Sequence, residues 1–479
     1  MKKIYLIAAF VLSVFTLSAQ NLRTGYFLDG YSYRYQFNPA FQGERGFIAL
    51  PVINGISFGA ESTLAVKDFL YPTSSGKLGT FLHPEVSDAE VMKNLGQRTM
   101  LNTNLDMNLL AFGFRAKKTY HTLDVSLKGN VNATLPGDIF RFMKVGASDG
   151  NAVYDLANLS LSSDVYAQVA YGFSRRFLDM FNVGIRLKAL MGVASARTNV
   201  RNLSVSMNSD QWMVSADGSA SFSSIYQTLM SGEEDILNEA MAKLKSPDLG
   251  FAVDLGVSVD LFKYLTLSAS IVDLGAIGWK NSSIYTLAND PWVYNGFDIS
   301  ASGEGTDNIE DQLNAKLDEL AGLFNFEGLT PQQVKKNRQK LAMTMHVGLE
   351  ARLPFYERLS AGLLATHRFN GSHSWTEGRF SVNWALLRWF SLAANYAISD
   401  FGHSFGGALN LHPKGFSVFL GTDSFRPFTS FSPNMIPLND LNTNLVFGVN
   451  FPFGKYNGRF PKPENTKESK KSKKKAGKE

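Results

Sequence analysis

The chain has 479 residues, no cysteine, 44% hydrophobic and 13% aromatic residues, and a formal net charge of +5. Zero cysteine excludes disulfides and thiolate metal sites. The charge sits at the ends. From Pro461 to Glu479 eight Lys face three Glu, and Lys2 and Lys3 add two more, which leaves about −2 for the body between and excludes the basic folded surface of a nucleic-acid-binding domain.

At the N-terminus, Lys2 and Lys3 precede an apolar run from Ile4 to Leu17 and then Ser18, Ala19 and Gln20. That order reads as a secretory signal, residues 1–19, cleaved after Ala19. No later stretch supplies the ~18 consecutive apolar residues of a membrane helix. Residues 20–51 form an N-terminal segment expected in a lumen or in the periplasm.

From there the chain repeats one pattern: a run of alternating apolar and polar residues, a turn, and another run. Phe251, Val253, Leu255, Val257 and Val259 interleave with Ala252, Asp254, Gly256, Ser258 and Asp260, so a strand would carry all its large apolar groups on one face. The pattern predicts strands over 52–66, 104–116, 120–131, 163–174, 181–192, 250–260, 264–272, 342–353, 358–366, 378–386, 389–397, 405–411, 415–421 and 442–453. Short links alternate with long ones. An even strand number with alternating link lengths predicts an all-β, transmembrane antiparallel β-barrel of about 14 strands over residues 52–453. Its apolar face would meet lipid and its polar face would line the lumen. Phe173, Phe177, Phe181, Phe262, Tyr264, Phe355, Tyr356, Trp384, Trp389 and Phe390 cluster at the short turns, as an interfacial girdle would.

The long links carry local signals. Ser87 to Glu90 is a capping box opening a helix at Val91, and Thr330 to Gln333 is another, with Pro331 at the first helical position. Ile236, Leu237, Ala240 and Leu244, and then Ile309, Leu313, Leu317, Leu320 and Phe324, have helical spacing. Residues 195–222 are expected to form an extra hairpin turning near Asn208 to Asp210. Residues 454–479 read as a Lys-rich disordered periplasmic tail.

Inward positions on the predicted strands nominate Asp124, Lys128, Arg186, Lys188, Asp254, Asp260, His346, Glu350 and Arg352 as lumen-lining residues. They would either tune passage or pair across neighbouring strands and fill the interior. Lys335, Lys336, Arg338 and Lys340 crowd the end of the expected helix after Thr330 and are candidates for lipid phosphates at the outer rim. Metal-ligand spacing is absent from the seven His, and His412 falls at the opposite end from His367, His373 and His403. Asp400, His403 and Ser404 have the residue types of a hydrolytic triad without its geometry. No cofactor and no enzymatic activity are expected. The expected partners are outer-membrane lipids and, through the Lys-rich tail, a periplasmic protein or peptidoglycan, with the barrel itself a monomer.

Phe37-Asn38-Pro39-Ala40-Phe41, followed by Gly43 and by Gly46-Phe47-Ile48-Ala49-Leu50-Pro51, resembles the N-terminal signature of a Bacteroidota outer-membrane family of unknown function. An Asn-Pro-Ala element is also seen in barrels associated with gliding and type IX secretion. The strand number and helical elaborations are similar to long-chain fatty-acid transport barrels. These resemblances imply a Gram-negative outer membrane and either passage or binding of a small hydrophobic molecule, or a plugged, partner-binding structural or secretion-associated barrel.

Overall fold

The computed structural model describes residues 22–51, 56–146, 150–178, 180–226, 246–262, 264–288, 291–295, 315, 332–425 and 442–458. The expected signal, the helices over 236–244 and 309–324, and the body of the Lys-rich tail lie outside them.

Strands in chain order are β1 (Gly46–Ala49), β2 (Ile56–Ser62), β3 (Leu70–Pro72), β4 (Leu78–Thr80), β5 (Arg98–Ala116), β6 (Thr119–Pro136), β7 (Asn151–Asp155), β8 (Ser160–Phe177), β9 (Phe181–Asn208), β10 (Trp212–Ser224) and β11 (Asp248–Leu261). They continue as β12 (Leu265–Ala288), β13 (Trp292–Tyr294), β14 (Gln332–Lys340), β15 (Met343–Leu353), β16 (Tyr356–Phe369), β17 (Trp375–Leu387), β18 (Phe390–Ser399), β19 (Gly402–Leu411), β20 (Ser417–Phe425) and β21 (Thr443–Phe453). The sheet closes as a 14-strand antiparallel barrel. Its first stave is β1 with β2, both held between β21 and β5. Its eighth is β14 with β15, both paired to β12.

Each expected strand falls on a stave, because one face must be apolar along its whole length and a slip by one residue would invert every side chain. The wall starts earlier than residue 52, at Gly46. Pro51, which cannot donate to a ladder, lies between the two pieces of this stave.

Alternation decides the two surfaces. On β11, Phe251, Leu255 and Val257 are exposed on the outside, while Ala252, Asp254 and Ser258 are buried within. On β15, Met345, Val347 and Ala351 face out and Thr344, His346 and Glu350 are buried. At the short-turn end Phe177, Phe262, Phe355, Tyr356, Trp384 and Trp389 are exposed around the rim, and Phe112 stacks on Phe453.

The long-loop end is built up. β9 runs on and turns at Asn208 into β10, giving the hairpin expected over 195–222, with β7 and β13 added to it. The Asn208 side chain accepts hydrogen bonds from the Asp210 and Gln211 amides and fixes that turn. Helix α1 (Asp88–Leu95) starts where the capping box puts it, with Ser87 Oγ accepting from the Glu90 amide at 3.3 Å. Its Val91 and Leu95 pack on Tyr71, Phe81 and Phe140, the last from helix α2 (Asp138–Val145). The apolar face of α1 is therefore buried against neighbouring loops.

The helix expected after Thr330 is not formed. Gln332–Lys340 is strand β14, paired to the extension of β12. A capping box is a local preference worth about 1 kcal/mol, and a ladder of backbone hydrogen bonds along β12 outweighs it.

Candidate functional site

The lumen is occupied by the chain's own N-terminal segment. Leu22 to Phe41 lies inside the wall, and Leu22, Tyr26, Leu28, Tyr33, Tyr35 and Phe37 form one buried cluster with Phe47, Leu364 and Phe419 from the strands. The segment starts in the long-loop half, where Arg23 meets β2, β17 and β20. It descends to the short-turn end, where Gly30 faces the His412 ring, and returns to mid-lumen at Phe37 beside His346. It leaves past Gln42, which accepts from Arg115 at 2.6 Å, and enters β1.

Asn38 explains why the Asn-Pro-Ala element has its composition. Its side-chain amide donates to the carbonyls of Val257 on β11 and Ala269 on β12, both at 3.2 Å, while its Oδ1 accepts from the Ala40 amide at 2.9 Å. Pro39 between them has no amide to satisfy. The wall makes room with glycine. A Cβ at Gly184 would overlap the Pro39 carbonyl, and one at Gly256 would overlap the Asn38 side chain.

Two ionic nodes hold segment and wall. In the first, Arg23 reaches Glu61 at 2.6 Å, Glu377 at 3.4 Å and Asp423 at 3.6 Å, and its guanidinium lies over the Trp375 ring. The Asp423 carboxylate also accepts from the backbone amides of Arg23 and Thr24 at 2.7 and 2.6 Å. Arg379 completes the node with a two-bond contact to Glu377 at 2.9 and 3.0 Å. These groups are almost wholly buried, so each depends on its partners to offset lost hydration.

The second node contains most of the residues nominated from sequence. Arg186 pairs with Asp124 at 2.6 Å and Asp254 at 3.1 Å, and Lys188 with Asp254 at 2.6 Å and Asp273 at 2.5 Å. Lys128 pairs with Asp106. The Arg186 guanidinium also lies over the Tyr35 ring, linking this node to the segment. Glu350 and Arg352 sit at 3.5 Å nearer the short turns, where Arg176 binds Asp260 at 2.9 Å. His346 bonds Thr366 and packs between Tyr26 and Phe37. The structure thus brings Asp124, Arg186, Lys188 and Asp254 together and leaves Asp260 and Arg352 at the mouth.

Sequence reading missed Arg23, Glu61, Asp106, Asp273, Glu377, Arg379 and Asp423. Glu377, Arg379 and Asp423 alternate with lipid-facing residues such as Phe380, so strand parity could have found them. The same holds for the inward glycines 184, 256, 348 and 362, each of which a residue of the segment approaches closely.

Three cavities border this core. One of about 110 Å³ at mid-lumen is lined by Arg23, Asp106, Lys128, Asp273, His346 and Arg368, room for several waters in a polar setting. A vestibule of about 710 Å³ opens at the short turns between Phe41, Arg115, Arg176 and Arg352. A third, of about 900 Å³, lies in the wall near the β14–β15 junction. Among the described residues there is no cluster of metal-ligating side chains. Asp400, His403 and Ser404 do not converge: Asp400 accepts from the Thr376 amide, His403 bonds Tyr396, and Ser404 is buried inward.

Two histidines outside the strands are held neutral. Burial, with Arg98 and Arg197 nearby, lowers His373 to about 4, and its Nδ1 lies 2.8 Å from Thr134 Oγ1. Burial also lowers His412 to about 4, with Asp29 opposing and Arg45 assisting. Both values fall below the ordinary 6.5, so the unfolded chain takes up protons first. Their contribution is complete above pH ~6.5 and is lost as pH falls toward 4. The midpoint of thermal unfolding in detergent is expected to drop between pH 7 and 4.5, and to drop less in a His373→Gln/His412→Gln variant; equal slopes would contradict this.

Among solved structures the chain is similar to the Ralstonia pickettii toluene transporter TbuX, at 9% identity over 91% of this chain and 97% of that one, TM-score 0.42. It is also similar to the Pseudomonas putida toluene transporter TodX, at 9% identity over 87% and 93%, TM-score 0.39. A Pseudomonas aeruginosa FadL homologue aligns at 11% identity over 91% and 99%, TM-score 0.39. No curated protein matches the chain. A family model described as "Family of unknown function (DUF5723)" matches residues 39–423, most of the chain and nearly all of the barrel, and the protein belongs to that family.

Proposed function

We propose that this protein is a non-conducting outer-membrane barrel of a Gram-negative envelope, sealed by its own N-terminal segment, and that it serves as a structural or secretion-associated partner-binding protein. The apolar exterior and the exported N-terminus support the location. Short turns are then periplasmic and the long loops external. The observation that carries the reading is the Arg23 node, in which the segment contributes a buried guanidinium and two backbone amides to carboxylates on three separate strands.

Binding would fall to the two ends. The periplasmic vestibule is lined by Phe41, Arg115 and Arg352. The chain leaves at the same end, where the Asn457 amide donates to the Glu44 carbonyl, so the Lys-rich tail would extend beside that vestibule toward a periplasmic protein or peptidoglycan. Passage of a small hydrophobic molecule is the second reading, and it needs an apolar route. The mid-lumen cavity is instead lined by charged and polar groups, so passage would require the segment to move.

Planar-bilayer recording tests the choice. The intact protein is expected to give no unitary conductance, and a variant lacking residues 22–41 is expected to conduct. Steady channels from the intact protein would favour passage, and a silent deletion variant would show that something other than this segment closes the barrel.

A further inference from the structure

We propose that the outer wall beside β14 binds a phosphorylated glycolipid of the outer leaflet, taking its phosphates on Lys336, Arg338 and Lys340 and an acyl chain against Leu274, Met343 and Phe369. From the proposed function it takes only the orientation of the barrel. The site exists because 332–340 is a strand. Alternation turns Gln339 inward, where it bonds Ser195 at 2.5 Å and Ser221 at 3.3 Å, and therefore sends Lys336, Arg338 and Lys340 to the opposite face. Lys335 shares parity with Gln339 and leaves the group.

Pairing sets the level of these cations. Lys340, Arg338 and Lys336 stand beside Ala276, Gly278 and Lys280 of β12, on the long-loop side of Leu274. Leu274 and Phe369 are exposed on the outer surface, and Phe251 and Met345 extend the apolar face toward the short turns. A row of three cations therefore borders the lipid-facing belt, the level at which an outer-leaflet phosphate would lie.

A groove accompanies the row. The stave breaks between β14 and β15, opposite a bulge in β12 where Asp273 has φ +63° and its amide donates to Asp254. The cavity of about 900 Å³ at this break is lined by Arg338 and Lys340 at one side and by Leu274, Leu341, Met343 and Phe369 at the other. Cations above and hydrocarbon below match an amphiphile with an anionic head. Arg offers a planar two-bond grip on phosphate and Lys a mobile charge.

The test is titration of the purified full-length barrel in detergent with bisphosphorylated lipid A, followed by native mass spectrometry. A Lys336→Gln/Arg338→Gln/Lys340→Gln variant, first shown to fold by heat-modifiable migration, is expected to bind about tenfold more weakly, whereas Lys335→Gln binds as the wild type does. Dephosphorylated lipid A is expected to lose a similar factor. The site is overturned if the triple variant keeps its affinity, if Lys335→Gln weakens binding equally, or if the dephosphorylated lipid binds as well. Phosphatidylglycerol binding as tightly as lipid A would overturn the glycolipid assignment and point to a reversed orientation, which the conductance experiment does not address.

Discussion

Replacing Arg23 with methionine is expected to unseat the N-terminal segment while leaving the wall closed. The substitution keeps an unbranched side chain of similar length but removes the only cation that reaches Glu61, Glu377 and Asp423 from the segment. Arg379 still holds Glu377, so the uncompensated charge falls on Glu61 and Asp423. Stripping one partner from a buried ionic contact costs about 3–5 kcal/mol. The wall itself is tied by continuous ladders that Arg23 does not join, so the loss should appear in the seating of the segment. Limited proteolysis in detergent is expected to cleave the variant within residues 22–45, where the wild type resists, and bilayer recording is expected to show openings. A variant as protected and as silent as the wild type would mean that the aromatic cluster alone seats the segment.

The second large effect is steric. Valine at Gly184 or Gly256 would drive a branched side chain into Pro39 or Asn38, where the backbone of the segment already touches the wall. Valine suits a strand better than glycine, so the stave itself should not suffer. Either variant is therefore expected to fold as a heat-modifiable barrel, to expose its N-terminal segment to protease and to conduct, matching the deletion of residues 22–41. Gly378 is the control, since a Cβ there would meet nothing within 4 Å. If Gly184→Val stays closed and protected while Gly378→Val behaves the same way, the tight seat of the Asn-Pro-Ala element is wrong.

The two variants also separate electrostatic from steric seating. Arg23 acts in the long-loop half and Pro39 near the short turns, with Tyr26 to Phe37 between them. If both ends must be held, each single change should release the segment. If one end suffices, only the double variant will.

The strands were legible because lipid outside and a polar interior impose a period of two on every stave, and a period of two can be read without knowing any neighbour. Asp254 between Val253 and Leu255, or His346 between Met345 and Val347, reveals its direction from its flanks alone. The Ser87 cap was legible for the same reason, being satisfied within one turn. Residues 332–340 show the opposite case. Their capping box and charges favour a helix locally, and only the edge of β12, far away in sequence, makes them a strand.

What closes the lumen could not be read this way. Nothing in Leu22 to Phe41 alternates, and Arg23 gives no sign of its partners, which lie 38, about 354 and about 400 positions along the chain. Sequence periodicity determined that this chain forms a barrel, where its staves run and which side chains point inward. Tertiary structure decided that the inward charges pair with one another and with the N-terminal segment, because burial forces each charge to find a partner, and which partner it finds depends on how the staves are brought round to meet.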